Sequence, residues 1–473
     1  MDAGAFALTE HLHPTARRCG RTGFVSPADH FVYAFALLRP RAIISAVLVS
    51  LLNRFNIFYG WWIVFASASI VFLSAGTFFY GFSLLVGPLT DEFGWSRASI
   101  SIGFSLRTEL GGIAAPIVGF AVDRIGVRRI TLAGVIIVTA GMVLMSRTES
   151  LAFFYLSVVI LAIGMSGTGG ANASTVISHW FRRQRGRALG LMTLGGGAGG
   201  LSAIVFAWLI SDFGWRDALV IIAILQLVIC VPLAMSIHNR PADLGLEPDG
   251  QPLDLVPAST PASTQPAPEG PEVTSGEAVR SAMFWRMALV FGLSNFATTA
   301  VIVHQVPFLE EQVGFSHTAA AASVTIMIAI SIVGRLGFGG AADRYSPTLV
   351  LAAGLAFTAS GLLLFAVVRE PWQTVFPLVL FGIGFGAAIP LRSVLQAEYF
   401  GLSAFGAIQG MVLTVTTLFA FVGPVMAGFM YDATESYRLA FVVLACGPAI
   451  GIPLVLTLQA PQVRRVTEDA ATA

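Results

Sequence analysis

The chain has 473 residues, of which 56% are hydrophobic and 11% charged, with a mean hydropathy of +0.79. Soluble domains carry about 25% charged residues, so this composition excludes an ordinary soluble protein. The formal net charge of +1 gives no pull towards nucleic acid, and all 27 basic residues are Arg, which excludes lysine Schiff-base and P-loop chemistry.

In chain order, residues 1–57 form a basic extension carrying Arg17, Arg18, Arg21, Arg39, Arg41 and Arg54. Its apolar run at 42–52 is shorter than the about 20 residues a spanning helix needs, so it reads as an interfacial or poorly ordered segment. Runs of spanning length follow at 61–88, 98–122, 128–146, 151–179, 187–210 and 216–238. Residues 239–282 are rich in Pro, Ala, Ser, Thr and acidic residues and cannot bury a core, so they form a linker. Six more runs lie at 284–308, 318–342, 347–367, 372–399, 404–430 and 437–459, and residues 461–473 form a tail. The expected fold is an all-α membrane protein of twelve spans, embedded in the bilayer. Residues 58–238 make a first six-helix bundle and 283–460 a second.

Arg in short loops sets the orientation. In the first half, the loops after spans 2 and 4 carry Arg124, Arg128, Arg129, Arg182, Arg183, Arg185 and Arg187; the opposite loops carry Arg97, Arg147 and Arg216. The expectation is a multi-pass protein of the plasma membrane with linker and both termini in the cytoplasm. Cys19, Cys230 and Cys446 are scattered, which supports neither a disulfide framework nor a metal site. No nucleophile–base pair is apparent, so neither an enzyme nor a cofactor is expected, and a monomer suffices.

The two halves repeat. Gly119-Phe-Ala-Val-Asp123-Arg124 returns as Gly339-Gly-Ala-Ala-Asp343-Arg344, 220 residues later (343 − 123). Gly94-Trp-Ser-Arg pairs with Gly314-Phe-Ser-His, and Trp215-Arg216 with Tyr437-Arg438, at nearly the same offset. A near-constant offset marks duplication of a six-helix unit. Parallel repeats of that size are the pattern of major facilitator transporters, whose substrate site lies at the midplane between halves.

The loop Gly119-x-x-x-Asp123-Arg124-x-Gly126-x-Arg128-Arg129 resembles the major facilitator signature between helices 2 and 3. Phe58-Tyr59-Gly60-Trp61-Trp62, Phe93-Gly94-Trp95-Ser96-Arg97, Arg107-Thr-Glu109-Leu-Gly111, Val303-His304-Gln-Val-Pro307 and Gly334-Arg335 resemble the monocarboxylate-transporter-like and oxalate/formate-antiporter-like branch. The resemblance implies a secondary transporter of a small organic anion, with an Arg of helix 8 on the substrate carboxylate. It also implies a loop that latches the outward-open state through Gly119, Asp123, Arg124 and Arg128, with Asp343 and Arg344 as the repeat's gating pair. This chain departs from the pattern at Ser331, where animal monocarboxylate carriers have an Asp, and it lacks their helix 1 Lys.

Arg335 is the first candidate for substrate binding. It lies 8 residues before Asp343, about 12 Å from the end of its helix. A charge at that depth costs about 2.5–3.5 kcal/mol or more and must face the bundle interior or water. Its helical neighbours Ser331, Gly339 and Ala342 leave room for a ligand, and its repeat partner is Ala115, so the duplicated scaffold does not itself demand an Arg. Tyr80 on span 1 and Asn295, Thr298 and Thr299 on one face of span 7 are candidate cavity lining. Arg107 is an intramembrane charge that either pairs structurally or serves function, and Glu109 and His304 are candidate proton carriers. His304 equally suits a structural role beside Pro307. Efflux of amphipathic drugs or metabolites, and a sensor that binds without transporting, are the alternative readings.

Overall fold

The computed structural model describes residues 57–77, 81–250 and 273–458, all within the compact unit Asn56–Ala473. The expectations for the basic extension, for Tyr80 and for the tail fall outside the described residues. Helices α1 (Tyr59–Ala75) and α2 (Val86–Phe93) make span 1, and α3 (Arg97–Ile125) and α4 (Val127–Ser146) make spans 2 and 3. Span 4 is divided into α5 (Leu151–Thr168) and α6 (Gly170–Trp180). Helices α7 (Arg185–Ala198) and α8 (Gly200–Ser236) carry spans 5 and 6, which turn into each other at Gly214, where φ is 78°. After the short α9 (Ser275–Arg280) come α10 (Ala282–Glu311), α11 (His317–Ala342), α12 (Pro347–Val367), α13 (Val375–Phe400), α14 (Phe405–Thr434) and α15 (Tyr437–Leu456), which are spans 7–12.

Among the described residues, nine continuous stretches are long and apolar enough to cross a membrane. The stretch Arg185–Ser236 counts twice because of the turn at Gly214. Span 1 is interrupted after Ala75, and span 2 carries Arg107 and Glu109, which lower its hydropathy. These account for twelve. Large apolar side chains stand exposed around the outside, among them Ile117, Trp208, Phe213 and Phe429. Apolar exposure of that extent is what lipid tails cover.

Each half has its own core. In the first, Phe82, Leu89, Met142, Phe154 and Leu219 pack together. In the second, Phe308 meets Phe365 and Phe441 edge to face, and Phe365 and Phe441 stack at 5.4 Å. Each of these clusters lies within one half, which suits movement of the halves as bodies.

The breaks have identifiable causes. At Gly169 the backbone is extended (φ −72°, ψ 166°), and the Asn172 amide donates to the freed carbonyls of Ser166 and Gly167 at 3.0 and 2.7 Å. The run Gly195–Gly200 serves close helix approach, as its composition implies: a β-carbon at Gly195 would come within 2.1 Å of the Ala68 carbonyl on α1. Phe58–Trp62 forms an aromatic knot. Phe58 and Tyr59 pack on Trp180, the Tyr59 hydroxyl donates to the Ser236 carbonyl at 2.7 Å, and Trp62 Nε1 donates to Ser236 Oγ at 2.9 Å. It ties spans 1, 4 and 6 together at one end. The segment expected to be a linker, residues 239–282, is ordered at both edges. Asp249 accepts backbone N–H groups of Arg182 and Arg183 at 3.0 and 2.8 Å, and a Thr274–Glu277 capping box starts α9.

Candidate functional site

The Asp–Arg loops bring the halves together at one end. Asp123, at the close of span 2, accepts the backbone N–H of Gly406 (2.9 Å) and of Ala407 (2.8 Å), the first turn of span 11. Asp343, at the close of span 8, accepts those of Gly186 (2.6 Å) and Arg187 (2.9 Å), the first turn of span 5. Each carboxylate caps a helix of the other half, where free N–H groups and the helix dipole favour a negative charge. Burial pushes the Asp343 carboxyl up, while its bonds to Arg187 and Gly186 pull it down. Gly119 and Gly339 supply the close approach: a β-carbon at Gly119 would lie 2.1 Å from the Gly406 carbonyl, and one at Gly186 would lie 2.0 Å from that of Gly339. These contacts obey the repeat, since Gly406 and Gly186 are again 220 apart (406 − 186). Arg124 and Arg344 are exposed, and Arg128 is half-buried with its backbone N–H on Asn239 Oδ1 at 3.2 Å. The contacts named here all lie towards the Asp–Arg end, so this conformation is closed at that end.

Arg335 is 6% exposed and crosses between the halves. Its Nη1 donates to the Thr193 carbonyl on α7, and its guanidinium stands 5.9 Å from the Phe385 ring centroid on α13. A β-carbon at Gly197 would come within 3.0 Å of Nη1, so that glycine makes the space the guanidinium occupies. Thr193, Gly197 and Phe385 were not found by sequence reasoning. The Gly-rich run contained the only signal, and it showed close packing without showing against what.

On the other side of the interface lies a cavity of about 290 Å³ between spans 2, 4 and 11. It is lined by Arg107, Gly111, Met165, Asn172, Leu413 and Thr417, among others. Arg107 is 7% exposed, with Nη1 3.6 Å from Met165 Sδ. Asn172 and Thr175 line the cavity and bond across the break in span 4 and within their own helix, respectively.

The other candidates lie apart. Asn295 Nδ2 donates to the Thr416 carbonyl at 3.2 Å and Thr299 Oγ1 to the Ala420 carbonyl at 2.9 Å, stitching span 7 to span 11. Ala420 is four residues before Pro424, whose missing N–H leaves that carbonyl in need of a donor. Thr298 is buried and bonds to Ser294 of its own helix. In this conformation Asn295 and Thr299 join span 7 to span 11, Thr298 bonds within its own helix, and none of the three lines the cavity. His304 Nε2 lies 2.9 Å from the Pro424 carbonyl and Nδ1 3.3 Å from the Tyr437 hydroxyl. The first contact requires a hydrogen on Nε2, since a carbonyl oxygen only accepts. Glu109 is half-buried on α3, outside the set lining the cavity. Among the described residues, no cluster of His, Cys, Asp and Glu suits a metal ion.

The Major Facilitator Superfamily model matches residues 66–389 and 306–472. Bovine (Bos taurus) monocarboxylate transporter 13 is 26% identical over 413 residues, covering 85% of this chain and 89% of that protein. Monocarboxylate transporter 12 of Rattus norvegicus is 27% identical over 428 residues, covering 83% of each. Among solved structures, the E. coli fucose:proton symporter FucP superposes with a TM-score of 0.64 at 16% identity, covering 84% of this chain and 98% of that one; this likeness bears on the fold alone. Twelve spans in two repeated bundles, joined at one end by paired Asp caps, agree with the match over most of the chain, and the protein is a multi-pass membrane transporter that belongs to the Major Facilitator Superfamily.

Proposed function

We propose that the chain carries a small organic anion, a monocarboxylate by analogy with its named relatives, by alternating access between its two six-helix bundles. The observation that carries this reading is Arg335, a buried guanidinium at mid-depth that reaches from span 8 to the Thr193 carbonyl of the other half. A guanidinium presents a planar fork to a carboxylate and keeps its charge. Bonds between two charged groups are about twice as strong as neutral ones. An arriving carboxylate therefore outcompetes the Thr193 carbonyl, and substrate binding loosens a bond that holds the halves together. Binding and the rocking motion are coupled at that one side chain.

The Asp123 and Asp343 caps are the gate of this cycle. The Arg-rich loops beside them place that end in the cytoplasm by the positive-inside rule, so the conformation is closed towards the cytoplasm and the cell membrane is its site of action. Proton coupling runs through Glu109, because the bonds of His304 give that residue a structural part at the far end of span 7. The test is binding by purified protein of a panel of small carboxylates, followed by thermal shift. A ligand that binds only the folded state raises the melting point by mass action. Wild type should shift with at least one carboxylate and Arg335→Ala should lose that shift; an equal shift in both removes Arg335 from the site.

A further inference from the structure

The 220-residue repeat relates the Arg335 site to the cavity on the opposite side of the interface. Ala115 is the counterpart of Arg335, Met165 of Phe385, Leu413 of Thr193 and Thr417 of Gly197. The first member of each pair lines the cavity; the second members are Arg335 and three residues that surround or contact its guanidinium. The halves thus build two quasi-equivalent chambers. One is filled by the Arg335 side chain. In the other an alanine stands at that position and about 290 Å³ stays open.

The open chamber has its own buried cation. Arg107 enters from two helical turns further along span 2 (115 − 107 = 8 residues), and its Nη1 reaches Met165, the counterpart of the ring that Arg335 faces. Both guanidiniums therefore meet the same quasi-equivalent position from different heights. Ligand pockets run from about 300 Å³ upwards, so this chamber takes only a small occupant. Its walls offer glycine, alanine and apolar surface besides Arg107, Ser166, Asn172, Thr175 and Thr417. Its floor is the Gly119–Gly406 approach next to the Asp123 cap.

We propose that this chamber is a second station for a small carboxylate, with Arg107 as its countercharge, set between the midplane and the Asp123 gate. The proposal rests on the reading of the chain as an anion carrier. It assigns the occupied Arg335 chamber and the open Arg107 chamber to successive positions of one anion, and opening of the Asp123 cap would release it from the second.

The experiment is a thermal-shift titration of the full chain with acetate, pyruvate and benzoate. Wild type is compared with Arg335→Ala, Gly111→Leu and Arg107→Gln, and with Arg335→Ala combined with each of the other two. Gly111 lines the chamber and a β-carbon there meets nothing within 4 Å, so leucine fills the space while leaving Arg107 in place. A second station predicts that Arg335→Ala keeps a residual stabilisation by carboxylate. Adding Gly111→Leu or Arg107→Gln should then weaken that residual binding by about tenfold or more, the scale of a lost charge-assisted hydrogen bond. Residual binding untouched by Gly111→Leu, or complete loss with Arg335→Ala alone, overturns the second station and leaves the Arg335 site standing. Binding that ignores Arg335→Ala but disappears with Gly111→Leu removes Arg335 and keeps the chamber. No shift in wild type with any of the three acids overturns both.

Discussion

The Asp343 carboxylate lies 2.6 Å from the backbone nitrogen of Gly186, across the boundary between the two bundles. Asp123 and Gly406, each the repeat counterpart of one member of that pair, meet at 2.9 Å. A duplicated six-helix unit has placed the same residue pair on both sides of its pseudo-twofold axis, so the gate is held by two equivalent caps.

Asp123→Ala and Asp343→Ala should each free one helix N-terminus. Losing an N-cap costs about 0.5–2 kcal/mol. The amides of Gly406 and Ala407 in the first variant, and of Gly186 and Arg187 in the second, should exchange hydrogen several-fold faster, while amides at mid-helix keep their protection. Hydrogen exchange with site resolution measures this. Unchanged exchange at those four amides would mean that the caps are incidental to closure.

Gly410→Leu and Gly190→Leu should have matching effects, because a β-carbon would lie 2.3 Å from the Ala115 carbonyl in one case and 2.6 Å from the Arg335 carbonyl in the other. Backbone atoms cannot give way as side chains can, so spans 2 and 11, or 8 and 5, should stay apart at the Asp–Arg end. Electron–electron distance measurements between labels at Arg124 and Ser403 should lengthen in Gly410→Leu. A distance distribution identical to that of wild type would contradict the closure described here.

Glu92 and Arg216 pair at the opposite end of the first bundle, where Trp215 Nε1 also donates to Glu92 at 2.8 Å and Arg216 lies over the Trp215 ring. The bonds from Arg216 and Trp215 hold the Glu92 carboxyl below its usual range. A depressed folded-state pKa contributes stability above the unfolded value and loses it as pH falls through the folded one. The pair is exposed, so the effect is small. Acid titration should change Trp215 emission below the ordinary glutamate range, and Glu92→Gln should abolish that change. A transition at or above the ordinary value would refute the assignment.

Uptake into proteoliposomes should separate Glu109 from His304. If Glu109 carries the proton, Glu109→Gln flattens the pH dependence of uptake. His304→Gln should instead lower the melting temperature modestly, since it disturbs the half-buried bond to the Pro424 carbonyl, and it should leave the pH profile of the surviving activity in place. The reverse pattern would reassign the proton to His304.

The spans were legible because runs of about 20 apolar residues have no other use in a chain this poor in charge. Their ends agree to within a few residues: 98–122 was expected where α3 runs Arg97–Ile125, and 128–146 where α4 runs Val127–Ser146. The repeat was legible in Asp123 and Asp343 because a constant offset needs no structure. Partner identity was not legible. Asn295, Thr298 and Thr299 do share a face, but spacing along one helix does not say whether that face meets a cavity or carbonyls of span 11, one of which Pro424 leaves open. The setting of Arg335 was half legible. Small neighbours on its own helix were visible, whereas Gly197 and Phe385 come from two other helices, and only the tertiary structure brings them to its guanidinium.

The most direct measurement of the central claim is carboxylate counterflow in proteoliposomes containing wild type, Arg335→Lys or Arg335→Ala. Lys keeps the charge but loses the fork and the reach to Thr193. Counterflow should be full in wild type, reduced in Arg335→Lys and absent in Arg335→Ala, with all three proteins folded by thermal melt. Counterflow that persists in Arg335→Ala would show that the anion does not depend on this guanidinium.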